Sequence, residues 1–304
     1  SYPNFWIFLS GEFLWATSAA IASGADQTLV YDSLKELSRE RESKKILGRL
    51  GSMIPLALII ASPLGGFVAR VLGLRFTVIL TAVPMLLSAL VASTIVEQKM
   101  KGLHEKKRYF KILKEGVAYF KNHRELKILA IDHIAVTSLA FLILWLNQIV
   151  LQKMGVAIEW FGIIFSAMFV LSLLIMNNFE RLEKIVGGKS RYVFLSAFIA
   201  GASCITMALF INVWISAIAI VLMGGFGLSR LQLMQNYMNK FIESNHRATV
   251  ISTISMCLCF CQALTRLISG YATDWNLKAT LFAIGGLIII STTFSKVEEK
   301  HLID

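Results

Sequence analysis

The chain has 304 residues, 56% hydrophobic and 16% charged, with a formal net charge of +11 and a mean hydropathy of +0.66. A water-soluble domain carries roughly 25% charged residues to coat its surface, so this composition excludes a soluble fold and disorder alike. Four cysteines are too few for a secreted disulfide scaffold. Lipid is the solvent that remains.

Crossing a bilayer takes about 20 mostly apolar residues. The chain offers nine such runs: Phe5 to Gly24, Leu50 to Leu72, Leu74 to Val96, Ile128 to Leu151, Trp160 to Phe179, Tyr192 to Ile211, Trp214 to Asn236, Ala248 to Tyr271 and Leu277 to Phe294. None alternates with a period of two, as a barrel strand does, whereas a helix satisfies its own backbone in lipid. The fold class predicted is an all-α polytopic membrane protein.

The basic residues set the expected orientation. Lys35 to Arg49, Lys99 to Lys127, Arg181 to Arg191, Lys240 to Arg247 and the tail hold 24 of the 30 Lys and Arg. The other side has only Arg70, Arg75, Lys153 and Lys278. By the positive-inside rule the amino end lies outside and the carboxyl end in the cytoplasm. The net charge is thus a topology signal, and no nucleic-acid partner is expected.

The stretch from Glu97 to Lys127 is long and charged. Tyr109, Ile112, Leu113, Val117 and Phe120 recur there at helical spacing among lysines. The pattern predicts either an amphipathic helix on the inner membrane surface or a solvated linker helix. It divides the chain into a partial N-terminal bundle at 1–98, a linker at 99–126 and a six-helix bundle at 127–304. Transporters are commonly built from three-helix units. Three spans before the linker and six after it therefore read as the latter three-quarters of a twelve-span protein, with a nine-span protein as the alternative.

A charge at mid-bilayer costs at least ~2.5–3.5 kcal/mol, and four lie inside the runs: Glu12, Asp132, Arg230 and Arg266. At ~1.5 Å per residue, Glu12 and Arg266 fall about 10 and 12 Å below the outer surface, so they share a depth. Asp132 and Arg230 lie toward the inner ends of their runs and form a second expected pair. His133 points about 100° away from Asp132 around the helix and reads as a packed histidine. Gln262 shares a face with Arg266, with Ser269 nearby, which suggests an interhelix seam. Trp6, Trp15, Trp145, Trp160 and Trp214 read as interfacial anchors. Cys257, Cys259 and Cys261 spread around their helix, so no zinc site is expected. There is no Gly-rich phosphate loop for an ATP engine. No cofactor is implied.

Four short strings carry a family resemblance. SGADQTLVYDSLKE, Ser23 to Glu36, holds Asp26, Tyr31 and Asp32, and NHRATVIS from Asn245 holds Arg247. They are similar to the end of the fourth helix and the basic entry to the eleventh helix of the major facilitator superfamily, particularly its drug-efflux-like bacterial members. Ser62-Pro63-Leu64-Gly65-Gly66 resembles a shortened form of the antiporter signature in helix five, although it reads more readily as a small-residue packing seam. FERLEKIVGGKSR, Phe179 to Arg191, is a degenerate match to the Gly-Asp-Arg loop, with Glu183 roughly where an aspartate stands.

The resemblance implies that the spans correspond to helices four through twelve, in a bacterial inner membrane. It implies a secondary transporter that moves a small solute by alternating access, with proton-coupled efflux as the expected mode. Helices four, seven and ten line the cavity of that fold. Glu12 and Asp132 thereby become the expected proton or cation sites, with Arg230, Arg266 and Gln262 as charge or interhelix partners. Static ion pairs are the alternative for these charges. The alternatives to transport are a non-transporting membrane fragment and a membrane enzyme built on Asp132 and His133. A monomer is expected, surrounded by lipid.

Overall fold

The computed structural model describes residues 4–22, 25–39, 42–95, 118–119, 123–210, 212–243 and 247–302. The predicted amphipathic residues Tyr109, Ile112, Leu113, Val117 and Phe120 lie outside the described residues, as does most of the predicted linker. The chain divides into two units, Ser1–Leu58 with Val68–His104, and Ile59–Phe67 with Glu105–Asp304.

The first unit holds α1 (Phe5–Ala22), α2 (Ala25–Glu36), most of α3 (Ser43–Leu72) and α4 (Leu74–Ser93). The 30 residues of α3 give about 45 Å and the 20 of α4 about 30 Å, enough to cross a hydrocarbon core. Helix α3 runs on through Pro63. Gly73, at φ 88°, joins α3 to α4 without a loop, in a backbone region that favours glycine. Neither α1 nor α4 buries a residue, and Phe5, Trp6, Phe13, Leu86 and Leu90 stand exposed. Apolar surface on that scale calls for lipid.

The second unit holds α5 (Arg124–Ala140), α6 (Ile143–Lys153), α7 (Ile158–Met176), α8 (Phe179–Val186), α9 (Lys189–Leu209), α10 (Val213–Lys240) and α11 (Arg247–Thr293). The single run predicted over Ile128 to Leu151 is two helices. At Phe141 and Leu142 the bonding tightens from i+4 to i+3, with Leu142 N–H donating to the Leu139 carbonyl at 3.2 Å and Trp145 N–H to the Leu142 carbonyl at 3.0 Å. No Gly or Pro marks this break in the sequence.

The 47 residues of α11 would stretch about 70 Å if straight, more than twice a hydrocarbon core. The helix instead breaks at Asn276 (φ −156°, ψ 102°) and the chain reverses there. Asn276 Oδ1 accepts from Ala279 N–H at 3.1 Å and starts the returning segment. Eight apolar stretches among the described residues, one made of α5 with α6 and the last reversing at Asn276, are long enough to supply the nine predicted crossings.

Close approach of α9 and the returning part of α11 rests on two glycines. A Cβ at Gly201 would stand only 2.9 Å from the Gly285 carbonyl oxygen, the small-residue contact that lets helices pack in lipid. The residues Ile59–Phe67 meet α7 in the same way. A Cβ at Gly66 would lie 2.9 Å from the Glu159 carbonyl oxygen, and one at Gly162 would collide with the Ser62 carbonyl. Ser166 Oγ donates to the Ile59 carbonyl at 2.8 Å. Gly65 has nothing within 4 Å of a Cβ position.

Two apolar cores fill this unit. One gathers Val136, Leu146, Met168, Cys204, Met223 and Ile288. The other gathers Leu126, Leu129, Tyr192, Met234, Val250 and Leu302. Several helices pass from one core to the other, and the changeovers on α5, α9 and α10 hold Asp132, Ser196 and Arg230. A polar layer therefore lies between two apolar blocks.

Candidate functional site

That layer has a common depth. Asp132 is eight positions from Arg124, Ser196 seven from Lys189 and Arg230 ten from Lys240. At 1.5 Å per residue these are about 12, 11 and 15 Å from the end of the bundle that carries those three basic residues.

Arg230 gathers the layer. One Nη donates to Asp132, and the other donates to the Val193 carbonyl and, at 3.0 Å, to Ser196 Oγ. The two charged side chains are 0% and 2% exposed. Asp132 Oδ1 and Arg230 Nε have no partner among the described residues. A buried pair with one free donor and one free acceptor is stable only while the partners hold each other, because removing either leaves an uncompensated charge. The structure thus brings together Asp132 and Arg230 as expected. It adds Ser196 and the Val193 backbone, which no sequence pattern marked.

His133 turns away from the pair and is buried. Its Nδ1 lies 3.2 Å from Thr137 Oγ1, and its ring borders a small cavity of about 50 Å³ with Gln235, Asn239 and Ser255. Gln232 donates to Asn236 along α10 at 3.4 Å.

Closer to the basic end, Tyr237 on α10 donates its hydroxyl to the Glu183 carboxylate of α8. Helix α8 stops at Gly187, whose left-handed φ of 86° suits glycine. The following turn is held by the carboxyl-terminal segment. Glu299 accepts from Lys189 N–H at 2.9 Å and Ser190 N–H at 2.7 Å, satisfying two free donors at the start of α9. Lys189 Nζ donates to the Leu302 carbonyl at 2.9 Å, and Leu302 itself is buried in the nearby core. Neither Tyr237 nor Glu299 was marked by the sequence.

Arg266 and Gln262 lie on the outgoing part of α11. Gln262 is buried on the face toward the bundle. Arg266 places its guanidinium carbon 3.6 Å from the centre of the Trp145 ring. Trp145, read from sequence as an interfacial anchor, is thus also the platform for a cation. In the first unit, Glu12 sits on the exposed helix α1. Asp26, Tyr31 and Asp32 lie on α2, with Tyr31 exposed. Arg247 opens α11 and donates to the Ile242 carbonyl at 3.4 Å.

The described residues contain no group of three or more His, Cys, Asp or Glu able to hold a metal ion. What the arrangement offers is a buried charge pair and a stacked guanidinium, on helices long enough to cross a membrane. A family model described as Major Facilitator Superfamily matches residues 2–265 of the chain. No curated protein matches it.

Proposed function

Because the chain belongs to the Major Facilitator Superfamily, a family of membrane transporters, we propose that it moves a small solute by alternating access, driven by a proton or cation gradient and working in the direction of efflux. The observation that carries this reading is the Asp132–Arg230 pair, buried in a polar layer between two apolar cores. A static anchor gains little from such a pair, since apolar residues of similar volume often serve as well.

The pair has two states that an ion selects between. With Asp132 ionised, Arg230 bridges α5 and α10. A proton or cation on Asp132 removes the charge that holds Arg230, which keeps its bonds to Val193 and Ser196 of α9. The contact between α5 and α10 loosens while that between α9 and α10 stays. A local charge change biasing one helix contact is the kind of bistable element that drives larger motions. Glu12 is the acidic candidate in the first unit. The efflux direction rests on the strings around Asp26 and Arg247 that resemble drug-efflux members.

The test is transport by the full chain in proteoliposomes, with a pH-sensitive dye inside. The solutes are radiolabelled benzoate, a sugar and a quaternary amine. The reading predicts that an imposed pH gradient drives net movement of one class, with matching proton flow, and that a protonophore abolishes it. Proton flow with no solute dependence, or solute movement indifferent to both pH and cation gradients, contradicts it.

A further inference from the structure

The geometry points to Arg266 and Trp145 as a binding site for an organic anion. The inference rests on the transport reading above and names the solute class that the second unit is built to take.

The two residues come to one depth by independent routes. Trp145 lies 21 positions from Arg124 along α5 and α6, and Arg266 lies 19 positions from Arg247 along α11. These are about 31 and 28 Å from the basic end, which leaves Arg266 about 15 Å inside the reversal at Asn276. Arg266 therefore stands within a span, where a cation persists only with a partner or beside a water-filled cavity. Its guanidinium carbon lies 3.6 Å from the centre of the Trp145 ring. Stacking of this kind contributes ~0.5–2 kcal/mol, less than the cost of burying the charge.

The chemistry of the partner still missing follows. With its Cζ only 3.6 Å from the ring centre the guanidinium cannot point an N–H at the indole, so its donors face away from the ring. None of them has a hydrogen-bond acceptor among the described residues, and both Arg266 and Trp145 are exposed. The unit's buried acids are committed elsewhere, Asp132 to Arg230 and Glu183 to Tyr237. Of the other cations at this end, Lys153 is tied to the Thr273 carbonyl at 3.3 Å, and Lys278 stands exposed just past the reversal. A planar fork of free donors matches a carboxylate in two-point contact, and the open part of the indole offers a surface for an apolar body. The tightened turn at Phe141–Leu142 ends on the Trp145 N–H and fixes the backbone that carries the ring. The site fits an amphipathic monoanion better than a sugar or a cation.

The experiment uses the full chain in nanodiscs of phosphatidylcholine, which excludes anionic lipid headgroups. Trp6, Trp15, Trp160, Trp214 and Trp275 are replaced by Phe, so that emission reports Trp145 alone. Benzoate should change that emission saturably, and benzamide, of the same shape without charge, should not. Arg266→Gln should weaken benzoate binding at least tenfold. In the otherwise native chain, Trp145→Phe should weaken dialysis-measured binding of radiolabelled benzoate several-fold, a readout that does not depend on the multiple replacement. Equal binding of benzamide, or benzoate binding unchanged in both variants, overturns the proposal. Benzoate binding that appears only after Glu12→Gln overturns it too, since the fork then belongs to a carboxylate of the chain itself. Binding is read with no gradient, so a chain that binds benzoate but moves nothing refutes the transport reading alone. A chain that moves only sugars or amines and ignores benzoate refutes the anion site alone.

Discussion

Arg230 and Asp132 meet at the one level of the second unit where α5, α9 and α10 all change from one apolar core to the other. Their side chains are 0% and 2% exposed, so each is the other's only charged partner at that level among the described residues. Removing one alone is predicted to cost about 3–5 kcal/mol, because the survivor is left as an unpaired buried charge. Replacing both by apolar residues should recover most of that loss. Unfolding of Arg230→Met, Asp132→Leu and the double variant in detergent, read as a double-mutant cycle, checks this. A double variant as unstable as the sum of the singles would mean that the two groups act separately.

The carboxyl-terminal segment makes a second prediction. Glu299 holds the Lys189 and Ser190 N–H groups at the start of α9. Loss of a cap costs roughly 0.5–2 kcal/mol, and a negative charge at a helix start adds to it. Glu299→Ala should speed amide exchange through the first turn of α9, with Glu299→Gln intermediate. Exchange far from that turn, along α7, should not change. Hydrogen-exchange mass spectrometry reads both regions in one experiment.

Gly162 and Gly65 separate a packed glycine from an open one. A Cβ at Gly162 has no room beside the Ser62 carbonyl, whereas Gly65 has open space. Gly162→Ala is predicted to cost about 1–3 kcal/mol through overpacking. Gly65→Ala should be neutral or gain up to ~1 kcal/mol from helix propensity. Thermal melting of the two variants beside the parent decides the matter, and equal shifts would contradict the seam.

Sequence alone carried the crossings far. A run of 20 apolar residues has one outcome in lipid, and the run from Leu74 became α4 (Leu74–Ser93) almost residue for residue. The break at Phe141–Leu142 was invisible because it is made by backbone bonding in a stretch of Phe, Leu and Ile, with no Gly or Pro. The reversal at Asn276 was visible as the boundary between two runs, although it is a single residue and not a loop.

The site was legible only in part, for a geometric reason. Counting residues gives depth, and depth correctly paired Asp132 with Arg230. Depth gives no direction around the helix, so it left Trp145 among the interfacial anchors and did not mark it as the platform under Arg266. Ser196 and the Val193 carbonyl were out of reach, since an ordinary serine and a backbone oxygen carry no pattern. Glu299 belongs to a short tail whose docking depends on the turn at Gly187 and Gly188. No local signal in the tail announces that.

Solute movement in this scheme is driven by an ion acting at Asp132. The direct measurement is benzoate transport by Asp132→Asn in proteoliposomes, run once as exchange at equilibrium and once under an imposed pH or cation gradient. Asparagine keeps the shape and one acceptor for Arg230 but carries no charge. The prediction is exchange within about twofold of the parent, with gradient-driven accumulation lost. Accumulation by Asp132→Asn as large as the parent's would contradict it.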